Sequence, residues 1–264
     1  MSLLFLATIG LMSTGRDDVA SQRYFDLGAK YPAVGRVDGQ FVSGTLIGRR
    51  WVITAAHLGV RGRGRVFLGG EEIAVEEWIV HPQFSGDPMN GFDFALGRLS
   101  RDVTHVAPIP YSTMSAVGLI GVSVGFGVEG KGSTGPKEGT GGVCRAFRNR
   151  IDAQDPVLDG RRYPFYLADF DRPDGGANTL ASVARLTSGA KPLDLEGCAS
   201  NQDSGGALLV VRKGRPVLVG VTSSVISLNR GGGALGRYGD WTAWSPVDTV
   251  ADWIQRTTKI APVR

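Results

Sequence analysis

The chain is poor in the residues from which metal and redox centres are built. It has two cysteines, three histidines and four methionines in 264 residues. No paired-cysteine zinc spacing occurs. No glycine-rich phosphate loop with its Lys and Ser/Thr occurs either, so no cofactor or metal is expected. The acidic stretch from Asp169 to Asn178 offers oxygen ligands. It lacks the spacing of a calcium loop and reads as a solvated turn. Long apolar runs are also scarce. Ser2 to Met12 is too short to span a bilayer. It resembles the apolar part of a secretory signal with small residues after it, although no Lys or Arg precedes it. A buried N-terminal strand is the alternative reading. Charge of one sign is weak: the net charge is +4 and the pI about 9.2. The clusters Arg61 to Arg65 and Arg145 to Arg150 read as solvated surface, so no nucleic-acid partner is expected.

What the chain has is glycine, 39 residues of it, and 42% hydrophobic residues. That suits a β-rich protein with many turns and a sizeable core. Short apolar runs recur: Gly35 to Val37, Phe41 to Ile47, Trp51 to Thr54, Val66 to Leu68, Ile73 to Val75, Trp78 to Val80, Val117 to Val128 and Val143 to Phe147. Leu208 to Val211 and Val217 to Thr222 read as a hairpin across Arg212 to Arg215. One helix is predicted, from Val247 to Thr257, where Val247, Val250, Trp253 and Ile254 recur at helical spacing. The fold class is all-β, a barrel or sandwich with a terminal helix.

The chemistry centres on Asn201-Gln202-Asp203-Ser204-Gly205-Gly206 and the apolar run after it. Two glycines permit a sharp turn, and a buried strand would anchor it. A serine held there is suited to be an exposed nucleophile, but needs a base and an orienting group. His57 stands at a strand end behind Ala55 and Ala56. His81 and His105 read as surface or structural. Asp93 lies between Phe92 and Phe94, where a carboxylate is costly unless it is hydrogen-bonded or paired.

Ser43 to Ile47 with Trp51 to His57, then Asp93 to Leu96, then Asp203 to Gly206, resemble the chymotrypsin-like serine peptidases of the trypsin family. Gly125-Phe126-Gly127 and the terminal helix fit the same pattern, and the resemblance spans about residues 19–257. It implies two six-stranded antiparallel barrels: residues 17–110 with His57 and Asp93, and residues 111–264 with Ser204. Residues 1–16 would be a targeting segment, as in a secreted or periplasmic member of bacterial type. By resemblance Ser204 is the nucleophile, His57 the base and Asp93 its orienter. The amides of Gln202 and Ser204 form the oxyanion hole. Cys198, Ser223, Ser224, Val225 and Thr242 line the substrate pocket. The substrate is a polypeptide, no membrane or nucleic-acid contact is implied, and a monomer is the working expectation.

Four departures from the family pattern stand out. Gln202 occupies a glycine position, which puts the oxyanion hole in question. Val42 and Leu58 replace a cysteine pair. No Ile-Val-Gly-Gly activation sequence is evident, and Asp18 to Ser21 is the nearest in position to supply a partner for Asp203. Cys198 replaces an acid at the pocket floor, and Val225 and Thr242 replace two wall glycines. A shallow pocket for small or medium apolar residues follows. Cys144 and Cys198 could form a disulfide in an exported chain, worth about 4 kcal/mol; two buried free thiols are the alternative. Two other functions fit the same residues: an inactive relative that binds a partner protein, and an esterase or acyltransferase.

Overall fold

The computed structural model describes residues 12–37, 42–200, 202–227 and 235–263. Phe41, Asn201, residues 230–234 and the apolar run up to residue 11 lie outside them. The chain enters as strand β1 (Met12–Gly15) and helix α1 (Ser21–Gly28). Six strands follow: β2 (Val34–Val37), β3 (Ser43–Gly48), β4 (Trp51–Thr54), β5 (Gly64–Leu68), β6 (Glu71–Val80) and β7 (Ala95–Leu99). They close into a barrel in the order β2-β3-β4-β7-β6-β5. Its buried residues include Val37, Leu46, Val52, Ile53, Leu68, Leu96 and Leu99, each at most 1% exposed, with Val52 and Ile53 on opposite faces of β4. The stretch that reads as two strands at 73–80 is one. A bulge between Val75 and Glu77 shifts its pairing with β7 while the strand continues.

The second half contains β8 (Ile120–Gly125), β9 (Val128–Lys131), β10 (Gly135–Pro136), β11 (Arg145–Arg150), β12 (Ala153–Gln154), β13 (Val157–Leu158), β14 (Arg161–Arg162), β15 (Tyr166–Asp169), β16 (Gly197–Cys198), β17 (Ala207–Arg212), β18 (Arg215–Ile226) and β19 (Trp241–Pro246). Seven of these form one sheet, ordered β11-β8-β17-β18-β19-β15-β12. The expected hairpin is β17–β18. Among the described residues the second half therefore forms a seven-stranded sheet, the arc of a barrel, and no closing ladder of a second six-stranded barrel. In place of a closing ladder, the Asn149 side chain of β11 donates to the carbonyls of Asp169 (2.6 Å) and Gly197 (3.2 Å).

Two helices, α2 (Thr179–Ser182) and α3 (Ala251–Thr258), complete the elements. The predicted terminal helix forms as a 3-10 turn, Val247–Val250, that passes into α3. It is not the only helix. In α1 the buried residues are Tyr24, Leu27 and Gly28, and no side chain caps its start. Its stability must come from docking. Gly28 lies against the β11 backbone, where a Cβ would stand 2.8 Å from the Arg145 Cα. Arg145 is likewise not solvated surface. It is 5% exposed, covers the Phe25 ring, and donates to the carbonyls of Gly127 and Thr140.

Strand β1 pairs in parallel with β9 and antiparallel with β16. Residues 12–28 thus join the second half by contact, not the first barrel to which the sequence would assign residues 17 onward. Ser13 and Thr14, read as the tail of a targeting segment, are buried in this small sheet. The expected disulfide is absent, because the two sulfurs face different neighbours. Cys144 Sγ lies 3.5 Å from the Gly28 carbonyl, and Cys198 Sγ lies 3.3 Å from Thr242 Oγ1.

Candidate active site

Three side chains from distant stretches converge between the two halves. Strand β4 ends at Thr54, and the 3-10 turn Ala56–Leu58 presents His57. Asp93 is delivered by a tight turn just before β7. Gly91 and Phe92 both have positive φ, 82° and 56°, and the Phe94 amide folds back onto the Phe92 carbonyl. Phe92 tolerates this costly backbone because its ring stacks on His81, 5.0 Å away, which also meets Trp253 edge-on. His81 is buried here, and desolvation lowers its pKa. Its role is in packing. His105 is only partly buried and lies 3.1 Å from the Leu68 carbonyl.

Asp93 is fully buried and well supplied with donors. It accepts the His57 backbone N–H at 2.8 Å and the Ser223 hydroxyl, and lies 2.7 Å from His57 Nδ1. These contacts fix both the imidazole and the tautomer that turns Nε2 outward. His57 Nε2 is 2.7 Å from Ser204 Oγ. The serine is not exposed, as its motif alone suggests. Its residue exposure is 0%, since it sits beneath the imidazole and its carbonyl accepts from the Ser43 amide.

The serine's turn depends on Gly205. Its φ is 80°, and a Cβ there would stand 2.0 Å from the Ser43 carbonyl oxygen. Gln202 adopts φ 76°, the left-handed conformation that favours glycine. The side chain has therefore not prevented the glycine-like turn. Among the described residues no acceptor meets the amide nitrogens of Gln202 or Ser204, so both donors stay available.

Behind this turn lies a second buried carboxylate. Asp203, 2% exposed, accepts from Ser13 Oγ (2.5 Å), the Gly127 amide (3.1 Å) and the Ser200 amide (3.3 Å). Burial pushes its pKa up to about 7. The segment that reaches it is Ser13, not Asp18 to Ser21. Asp18 pairs instead with Arg16. Sequence reading missed Ser13 because Ser13-Thr14-Gly15 looks like the small residues after a leader. The Gly125-Phe126-Gly127 motif gains a physical reason here. A Cβ on Gly125 would stand 2.5 Å from the Asp203 carboxylate, and Gly127 supplies one of its amides.

Of the expected pocket residues, Cys198, Val225 and Thr242 come together. Val225 and Thr242 are cross-strand partners of β18 and β19, both buried. Thr242 Oγ1 accepts from the Ala199 amide while touching Cys198 Sγ. Ser224 is half-buried beside them. Ser223 sits in the bulge between Thr222 and Ser224, and its hydroxyl is committed to Asp93. Val42 and Leu58, in place of the cysteine pair, pack into one apolar core.

The acidic stretch is not uniformly solvated. Asp169 and Asp171 are buried, and only Asp174 is exposed, paired with Arg172. Burial pushes Asp152 and Asp171 up to about 7 and Glu196 up to about 8. Among the described residues no group of three or more His, Cys, Asp or Glu is arranged to hold a metal.

A closed barrel facing a curled sheet, with a terminal helix, is the chymotrypsin-like fold, and between its two halves Ser204, His57 and Asp93 are hydrogen-bonded in series. Comparison with known proteins agrees. The Trypsin family model matches residues 27–144. Neuropsin, a serine protease expressed in the limbic system of mouse brain, has a solved structure similar to this chain at TM-score 0.58 and 20% identity, covering 92% of this chain and 98% of its own. No curated protein matches the sequence.

Proposed function

We propose that the protein is a serine endopeptidase that works through an acyl-enzyme. The observation that carries this reading is the pair of 2.7 Å contacts on either side of the His57 ring. Ser204 Oγ attacks the scissile carbonyl as His57 Nε2 takes its proton. Asp93 stabilises the resulting imidazolium, and His57 then protonates the leaving amine. Water repeats the sequence to release the acid. The Gln202 and Ser204 amides receive the oxyanion, each worth about 2.7–4 kcal/mol in the transition state. The φ of Gln202 supports this role, since its backbone takes the glycine-like form.

The pocket supports a preference for small or medium apolar residues before the scissile bond. Thr242 extends from its wall to the Cys198 sulfur, opposite Val225, and the floor carries no acid. The backbone of Ser223 to Val225 would pair with the substrate chain. Export to a secreted or periplasmic location remains part of the proposal.

A fluorophosphonate probe tests the chemistry. It should label Ser204 in the wild type and leave His57→Ala unlabelled; a wild type that resists labelling while correctly folded would sink the enzyme reading in favour of a binding protein. Ester and peptide substrates compared side by side separate a peptidase from an esterase. A peptide library should favour Ala, Val or Leu before the cleaved bond, and a strong Arg or Lys preference would refute the pocket assignment.

A further inference from the structure

We propose that a cavity in the second half, walled by β11, the end of β15 and residues 189–196, is a binding site for a guanidinium cation, the head group of an arginine side chain. It is separate from the triad and from the expected substrate pocket, since no residue of either lines it. Its volume is about 440 Å³, within the range of small-molecule sites. Gly189, Ala190 and Lys191 on its wall are exposed, so it is reached from solvent. Four carboxylates on three segments line it: Asp152 just before β12, Asp169 and Asp171 at the end of β15, and Glu196 just before β16. Two of them are satisfied within the chain. Glu196 accepts the amides of Asp171 (2.8 Å) and Leu193 (2.6 Å). Asp169 accepts the Leu180 amide at 2.8 Å and the Ser188 hydroxyl at 3.2 Å. The other two are short of donors. Ser188 also faces Asp152, but one hydroxyl has one proton to give. Asp171 is 4% exposed, and its Oδ1 is buried with no hydrogen-bond partner among the described residues. A buried carboxylate in that condition is costly.

The basic side chains around the cavity are spent elsewhere. Arg16 holds Asp18 and the Leu193 carbonyl, and Arg150 holds the Gly118 carbonyl. Arg23 and Arg148 pair with Asp194, the fifth acid of the wall. Lys191 is exposed. A bare metal ion does not suit the remaining acids. Both oxygens of Asp169 and of Glu196 already accept hydrogen bonds, and among the described residues no three such groups are arranged around a metal. A guanidinium suits them. Its planar fork carries five donors, can bridge carboxylates on two segments, and is more weakly hydrated than an ammonium. Proton binding points the same way. Burial, and then the charge of Asp169, pushes Asp152 and Asp171 up to about 7. A bound cation would oppose both causes and drive the protons off.

The experiment titrates the full chain with N-acetyl-arginine amide by calorimetry. N-acetyl-citrulline amide, of nearly the same shape but uncharged, should not bind. Asp171→Asn and Asp152→Asn should each weaken binding about 10- to 100-fold, as for a lost hydrogen bond to a charged group. Circular dichroism confirms that the variants fold, and the half-buried Asp152 keeps the test open if Asp171→Asn does not. Binding should weaken about tenfold from about pH 8 to about pH 6, where a carboxyl titrating near 7 is mostly protonated. The other charges facing these two acids are Asp169, Asp194, Glu196, Arg150 and Lys191, and the two bases stay charged throughout. Methylguanidinium separates the sources: weaker binding than the arginine amide marks a polypeptide side chain as the ligand, and equal binding marks a free guanidinium compound. No binding by the wild type, binding that survives both substitutions, or equal binding of the citrulline form would overturn the proposal. Calcium chloride that displaces the arginine amide at equal concentration would overturn it in favour of a metal site.

Discussion

Two buried aspartates flank Ser204, one from each half of the molecule, and their surroundings differ in kind. Asp93 faces an imidazole that can carry charge, with a backbone N–H and the Ser223 hydroxyl completing its shell. Asp203 faces only a hydroxyl and two amides, and burial raises its pKa to about 7. Asp93 is placed to orient the imidazole and stabilise its cation, whereas Asp203 is placed to hold a shape. Charge matters most at the first site, and hydrogen-bond geometry at the second.

The largest effect follows from that contrast. Asp93→Asn should lower kcat by about 10⁴-fold with the fold intact, because an amide favours the wrong imidazole tautomer. Asp203→Asn should cost only about tenfold, since its carbonyl can still accept one of the donors. Steady-state kinetics on both, with circular dichroism as the folding control, decides the matter. Equal losses would break the distinction. Ser223→Ala tests the Asp93 shell from behind. It removes one donor but leaves the His57 contacts, so a loss of about tenfold in kcat is expected.

The two halves also differ in how much of them could be read from the amino-acid order. In the first barrel, strands such as Trp51 to Thr54 and the residues His57 and Asp93 announce themselves through apolar runs closed by a short, distinctive motif. There, local pattern and tertiary role coincide. In the second half they separate. The hairpin of β17 and β18 was legible, but the bridge that Asn149 makes across to Asp169 and Gly197 is encoded by no periodicity. Helix α1 lacks a capping side chain and is defined by where Gly28 docks. Ser13 and Arg145 read as leader and surface because their partners lie far away in sequence. Cys144 and Cys198 could be paired on paper; only the fold shows each sulfur turned to its own neighbour.

A smaller effect concerns pH. Asp203, Asp152 and Asp171 are raised to about 7 and Glu196 to about 8, in each case chiefly by burial. Their ordinary values are 3.8 for Asp and 4.5 for Glu. Between those values and the raised ones, the folded state binds more protons than the unfolded state. Stability should therefore fall as pH rises from about 4 to 8. The contribution is complete below the unfolded values and lost as pH passes through the folded ones. Thermal melts across this range should show Tm declining toward alkaline pH. Glu196→Gln should flatten the slope more than Asp93→Asn does, and identical slopes would remove the acidic cluster as the cause.

The smallest effect probes the strain beside Ser204. A non-glycine residue at φ 76° costs about 1–2 kcal/mol relative to glycine. Glycine in turn loses about 0.5–1 kcal/mol through the greater freedom of the unfolded chain. Gln202→Gly should therefore stabilise by no more than about 1.5 kcal/mol, a rise of at most roughly 3–6 °C in Tm. Its kcat should stay within a few-fold of wild type, because the amide already has the glycine-like orientation. A large rise in kcat would mean that the side chain impedes oxyanion binding after all. A fall in both Tm and kcat would mean that the buried Gln202 Oε1 atom, which has no hydrogen-bond partner among the described residues, sits in packing that the turn requires.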